Sequence, residues 1–124
     1  MNQYKRLIKY LVILITLGFP VMVMAQSADY GIASYYADKF QGRKTASGEL
    51  YHKDLLTAAH RTFPFDTKVK VTNLQNGKTV VVKINDRGPF IKGRIIDLSR
   101  RAMETLGGLS KGIIDVKIEL GKSP

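Results

Sequence analysis

Lys68-Val69-Lys70-Val71-Thr72-Asn73-Leu74-Gln75-Asn76-Gly77-Lys78-Thr79-Val80-Val81-Val82-Lys83-Ile84-Asn85-Asp86 reads as two strands and the turn that joins them. Lys68 to Asn73 alternates, with Val69 and Val71 on one face, and Thr79 to Ile84 is nearly continuous in β-branched residues. Gln75-Asn76-Gly77-Lys78 is a hairpin signal, because Asn and Gly both tolerate the positive φ that a type I′ turn demands. Residues 68 to 85 are therefore expected to form an antiparallel hairpin, with Asp86 ending its second arm.

Working outward, Ile32 to Ala37 mixes aromatic and small residues and reads as another strand. Ile114, Val116, Ile118 and Leu120 alternate with Asp115, Lys117 and Glu119, the pattern of a final strand with one buried face. One segment reads clearly as helix. Ser99 is a good N-cap for Arg100 to Leu106, where Ala102, Met103 and Leu106 form an apolar stripe, and Gly107-Gly108 stops it. A shorter helical turn is expected over Asp54 to Ala58. Several strands, one or two short helices and no cysteine describe a mainly β domain, a small barrel with its edges closed.

With 124 residues and no internal period, the chain has room for one domain. The first 25 residues read as something else. Met1 to Lys9 carries Lys5, Arg6 and Lys9 and no acid, Leu11 to Phe19 is almost wholly apolar, Pro20 breaks a helix, and Val23-Met24-Ala25 ends in small residues that a signal peptidase accepts. Residues 1–25 are expected to be a secretory signal and 26–124 the mature domain. As an uncleaved anchor, the apolar run interrupted by Gly18 and Pro20 falls short of the roughly 20 residues a span needs. An exported, periplasmic or cell-envelope protein with no stable membrane span after cleavage follows. Lipoprotein acylation is excluded by the lack of cysteine, as are disulfides and a thiolate metal site.

Loss of the signal removes three basic residues and no acid, leaving a net charge of +7 from the +10 of the full chain. That excess favours anionic partners such as cell-wall polymers. Nucleic acid is not expected, because Lys and Arg are spread singly, with only Arg43-Lys44 and Arg100-Arg101 adjacent, and no reader motif accompanies them. A solvated basic surface is the plainer account of most of these charges.

Four residues stand out as carriers of chemistry. Asn85-Asp86-Arg87-Gly88-Pro89-Phe90 and Ile95-Ile96-Asp97-Leu98-Ser99 place acids at the ends of short apolar stretches, one beside a Gly-Pro turn. Glu49 lies in the small-residue segment Thr45-Ala46-Ser47-Gly48-Glu49, and His60 ends Leu56-Thr57-Ala58-Ala59-His60. Each has a structural alternative: Glu49 as a solvated turn residue, His60 bonded to a carbonyl, Asp86 as a cap of backbone amides. Together, carboxyl groups and an imidazole can divide acid, base and orienting roles around one polar substrate. Zinc is disfavoured, with His52 and His60 eight apart and in no ligand-spaced cluster. Nucleophilic catalysis is weaker still, since Ser34, Ser47 and Ser99 lack an elbow motif.

Read in order, Gly31-Ile32-Ala33-Ser34-Tyr35-Tyr36, Thr45-Ala46-Ser47-Gly48-Glu49, Leu56-Thr57-Ala58-Ala59-His60-Arg61, Val69-Lys70-Val71-Thr72-Asn73, Asn76-Gly77, Asn85-Asp86-Arg87-Gly88-Pro89-Phe90 and Arg94-Ile95-Ile96-Asp97-Leu98-Ser99 resemble the motifs of the rare lipoprotein A (RlpA) family of septal-ring lytic transglycosylases. The resemblance runs from Gly31 to Leu120. It implies a six-stranded double-psi β-barrel, an architecture shared with expansins and barwin-like proteins. It also implies peptidoglycan glycan strands as partner. No cofactor is suggested, and a monomer is expected. Members cleave the bond between N-acetylmuramic acid and N-acetylglucosamine without water, leave a 1,6-anhydro sugar and prefer strands stripped of peptide.

By that likeness the acid and base lie among Asp86, His60 and Glu49. Asp86 is expected to donate and then recover the proton, with His60 orienting it or sharing its proton and Glu49 assisting. Arg87 would favour an ionised Asp86 if it points inward, or bind sugar hydroxyls and carboxylates by its fork of donors if it faces the glycan. Ser34, Tyr35 and Tyr36 are expected to offer hydroxyls and a ring face to the sugars. Asp97 is expected to serve mainly as scaffold, with substrate contact second. The chain departs from better-known members in lacking a lipobox cysteine and in ending at Pro124 without a SPOR domain, so septal targeting is not expected to follow. A non-catalytic, expansin-like wall-binding or wall-loosening module is the alternative, since fold does not fix function.

Overall fold

The computed structural model describes residues 27–121; the expected signal segment lies outside them. Six strands, β1 (Asp29–Tyr35), β2 (Thr57–Ala59), β3 (Lys68–Asn73), β4 (Thr79–Asp86), β5 (Arg94–Leu98) and β6 (Ile114–Leu120), close into a barrel in the order β1-β5-β2-β4-β3-β6. β1 runs parallel to β5 and β2 parallel to β4, while the remaining neighbours are antiparallel. Closure leaves no free sheet edge. One helix, α1 (Arg100–Thr105), packs on β1, β4 and β5, and a 3-10 turn covers Asp38–Phe40.

The alternation in the sequence is the alternation of the wall. Val69 and Val71 of β3, Val80, Val82 and Ile84 of β4, and Val116 and Ile118 of β6 are buried together with Ile96 and Leu98 of β5. Each such side chain contributes roughly 1.5–3 kcal/mol when fully buried. Ala102, Met103 and Leu106 of the expected helical stripe are wholly buried against this core. Gly31 lets β1 approach β5 closely, because a Cβ there would come within 2.6 Å of the Ile95 side chain.

The antiparallel hairpin forms as expected, with Lys68 opposite Lys83 and Thr72 opposite Thr79. Its turn differs from the expectation. Gly77 has a φ of +76° while Asn76 does not take positive φ, so a type I′ turn is excluded. The reason lies in two asparagine side chains. Asn73 Oδ1 accepts from the Gln75 amide and Asn76 Oδ1 from the Lys78 amide, and these local bonds organise a longer loop.

The helical turn expected over Asp54 to Ala58 is also replaced. Residues 57–59 are strand β2, buried along their length between β4 and β5. Ala58-Ala59 has a high intrinsic helix propensity, and tertiary pairing overrides it. The short helical element lies instead at Asp38–Phe40, and the first strand begins at Asp29 and ends at Tyr35, earlier than the expected Ile32 to Ala37.

Candidate active site

The topology brings two acids together. Ala59 of β2 pairs with Asp86 of β4 on one side and with Asp97 of β5 on the other. At ordinary strand spacing the two acidic Cα atoms are about 10 Å apart. Both side chains line one cleft of about 490 Å³, along with Ser34, Tyr35 and Tyr36 from the end of β1 and its exit. Phe40 adds ring surface to it, the buried Tyr51 forms part of its floor, and Arg43, Lys44, Arg87 and Arg94 are basic residues of its border.

The acids differ in what reaches them. Asp86 Oδ1 accepts the backbone amides of Ala46 at 2.8 Å and Arg87 at 2.9 Å, and Oδ2 accepts the Tyr36 hydroxyl at 2.5 Å. Asp97 accepts one bond, from the Ser34 hydroxyl to Oδ1. Its Oδ2 takes no hydrogen bond from the described residues. Burial pushes the Asp97 carboxyl above its ordinary pKa. Ser34 and Arg94 pull the other way and the Asp86 charge adds to the rise. Burial, then its bond to Asp86, raises the Tyr36 phenol far above its ordinary value, so it remains a donor throughout the neutral range. Tyr51 packs edge-on to Tyr36 with ring centroids 4.5 Å apart, which fixes the phenol. The expectation that Asp97 is chiefly scaffold therefore meets a different placement: it opens on the same cleft as Asp86.

Arg87 makes no ion pair with Asp86. Its Nη1 donates to the carbonyls of Phe63 at 2.8 Å and His60 at 3.3 Å, and the guanidinium lies 4.1 Å from the Phe65 ring centroid. The guanidinium is thus held by the 60–65 loop, and Arg87 as a residue borders the cleft, where its backbone amide meets Asp86.

His60 and Glu49 do not line it. The His60 imidazole is buried, stacked on Phe63 at 3.8 Å, and borders a separate concavity with Asp29, Arg61 and Thr62. Burial holds its pKa below the ordinary value, Arg61 and Arg87 act in the same direction, and Asp29 opposes them. Glu49 is exposed and bonded to Lys83 Nζ at 2.9 Å, and that bond lowers its carboxyl pKa. Its segment still matters to the cleft, since the Ala46 amide on Asp86 belongs to the 45–49 turn, closed by the bond from Thr45 N to Glu49 O. Among the described residues no three His, Cys, Asp or Glu side chains gather in a metal-binding group.

The model of the lytic transglycolase family matches residues 28–118. The chain belongs to that family. An endolytic peptidoglycan transglycosylase RlpA of Pasteurella multocida is 58% identical to this lytic transglycolase-family chain over 90 residues, which are 73% of the chain and 31% of that protein. Its Campylobacter jejuni counterpart is 47% identical over 100 residues, 81% of the chain and 36% of that protein. The chain thus spans about a third of the length of these relatives. Among solved structures, a Streptomyces papain inhibitor has a TM-score of 0.63 at 24% identity, covering 77% of this chain and 96% of its own. An expansin of Clavibacter michiganensis has a TM-score of 0.62 at 25% identity, covering 79% of this chain and 52% of its own. The fold is the double-psi β-barrel expected from the motifs.

Several cleft residues of this lytic transglycolase-family chain escaped the sequence reading: Tyr51, Phe40, Arg94, and the pair Arg43-Lys44, which was read only as adjacent charge. The signal available was proximity. Arg43-Lys44 immediately precedes the Thr45 to Glu49 segment already singled out, and Arg94 lies three residues before Asp97.

Proposed function

We propose that this domain cleaves peptide-poor peptidoglycan strands between N-acetylmuramic acid and N-acetylglucosamine, with Asp97 as the proton carrier and Asp86, whose oxygens accept three hydrogen bonds, as the fixed carboxyl group beside it. One observation carries the reading: two acids share a cleft, one engaged by three donors, the other with a free oxygen and a pKa raised by burial. Pairs of carboxyl groups in contrasting environments divide acid and anion roles in this way.

In the reaction Asp97 gives its proton to the glycosidic oxygen as the bond from the muramic C1 to that oxygen breaks. Asp86 stabilises the positive charge that grows at C1. Asp97, now a carboxylate, takes the proton of the muramic C6 hydroxyl as its oxygen bonds to C1. The acid is restored, no water is consumed, and a 1,6-anhydro end remains. Asp86 needs fixed geometry for its role, which the Ala46 and Arg87 amides and Tyr36 supply.

The remaining cleft suits a charged glycan. Tyr35, Tyr36 and Phe40 offer ring faces, with Tyr51 buried behind Tyr36. Arg43, Lys44 and Arg94 have no carboxylate within ion-pair distance among the described residues, and lactyl carboxylates freed by peptide removal would complement them. Relatives named endolytic peptidoglycan transglycosylases support the same substrate. The basic, apolar segment at residues 1–25 supports export to the cell envelope.

The test is to incubate the purified protein with peptide-free glycan strands and identify new chain ends by mass spectrometry. Anhydromuramoyl ends that vanish with Asp97→Asn are expected. Tight strand binding with no new ends would point to the expansin-like alternative and contradict the reading.

A further inference from the structure

His60 combines features unlike those of a proton carrier. Its Nδ1 receives two backbone amides, from Thr62 at 3.1 Å and Phe63 at 3.0 Å. A backbone amide can only donate, so Nδ1 must present a lone pair and the ring is neutral with its proton on Nε2. This is the geometry of an Asx cap, performed by an imidazole. The turn so capped aims the carbonyls of His60 and Phe63 at Arg87 Nη1. The Arg87 side chain donates through that one nitrogen only, which leaves Nε and Nη2 without partners among the described residues, and Arg87 is itself a residue of the acid-cleft border.

We infer that His60 is a positioning residue: it caps the 60–63 turn through Nδ1, and the turn holds the Arg87 guanidinium at the cleft with its free donors toward the glycan. Stacking of the imidazole on Phe63 keeps ring and carbonyl in register. Protonation of Nδ1 would turn the acceptor into a donor facing two amides and release Arg87. The charged groups facing the ring are Asp29, which favours that protonation, and Arg61 and Arg87, which oppose it. The consequence for activity rests on the transglycosylase reading; the cap itself does not.

The discriminating variant is His60→Asn, whose side-chain oxygen stands as many bonds from Cα as Nδ1 does and which cannot carry a proton. His60→Asn is expected to keep kcat/KM within threefold of the unsubstituted protein. His60→Ala is expected to lose about tenfold, mostly in KM, and to add nothing further in an Arg87→Ala background. A folded His60→Asn protein as inactive as His60→Ala, or one that fails to fold, overturns the proposal. So does a further loss from His60→Ala when Arg87 is already Ala. If His60→Ala does not fold, the Asn variant decides alone. The ¹⁵N shifts of the ring nitrogens in the unsubstituted protein, expected to report an unprotonated Nδ1 at pH 7, test the cap even if no anhydro product is formed, in which case only the reaction assignment falls.

Discussion

Asp86 and Asp97 carry the same carboxyl group, and their neighbours divide the labour. Because burial raises the Asp97 pKa above its ordinary value of 3.8, the stability this side chain contributes is complete below that value and is lost as pH rises through the folded value. Asp97→Asn should therefore raise the Tm at pH 7, leave it nearly unchanged near pH 3, and reduce anhydro-product formation by about 10² to 10⁴-fold, the range for loss of a general acid. Thermal scans at the two pH values and a product assay check both halves. Asp86 adds to the rise in Asp97, so Asp86→Asn should move the alkaline limb of the residual pH–rate profile to lower pH. An unmoved limb would separate the two acids. Asp86 could be picked from the sequence because it ends a readable strand. The rank of Asp97 could not, because burial and a single bond from Ser34, 63 residues away, decide it.

At the scale of elements, Ser99 joins three parts of the chain. Its hydroxyl accepts the Ala102 amide as the expected N-cap of α1, and it also donates to the Leu55 carbonyl at 2.5 Å and accepts from the Thr57 amide at 3.4 Å. Ser99→Ala should cost about 2–3 kcal/mol, more than a cap alone, because the buried Thr57 amide and the partly buried Leu55 carbonyl lose a partner. For a domain of this size that is a fall in Tm on the order of 10–20 °C by calorimetry. The cap was legible because Ser before an apolar stripe and a Gly-Gly stop is a local signal. β2 was not: three residues are too few to show a period of two, and Thr57-Ala58-Ala59 takes its conformation from β4 and β5 on either side. The hairpin was legible in its arms and misread at its turn, where the asparagine side chains compete with the backbone.

Across the whole molecule, closure turns a chain separation into a site. Asp86 and Asp97 fall on strands that are consecutive in sequence yet not neighbours in the barrel, and the small Ala59 of β2 stands between them. Pattern alone led to a small closed barrel; the double-psi architecture came from the family motifs and the strand order from the structure, since no local period encodes which strands pair in parallel. The excess positive charge, +10 on the full chain and +7 on residues 26–124, acts at this scale too. With the screening length falling from about 10 Å at 0.1 M salt to about 3 Å at 1 M, KM for peptide-free strands should rise several-fold with kcat little changed. Steady-state kinetics at the two salt concentrations check this. The most direct test of the account is cleavage of peptide-free glycan in H₂¹⁸O, read by mass spectrometry of the new muramic ends. The account predicts 1,6-anhydro ends free of ¹⁸O; reducing ends that carry ¹⁸O, or no new ends at all, would contradict it.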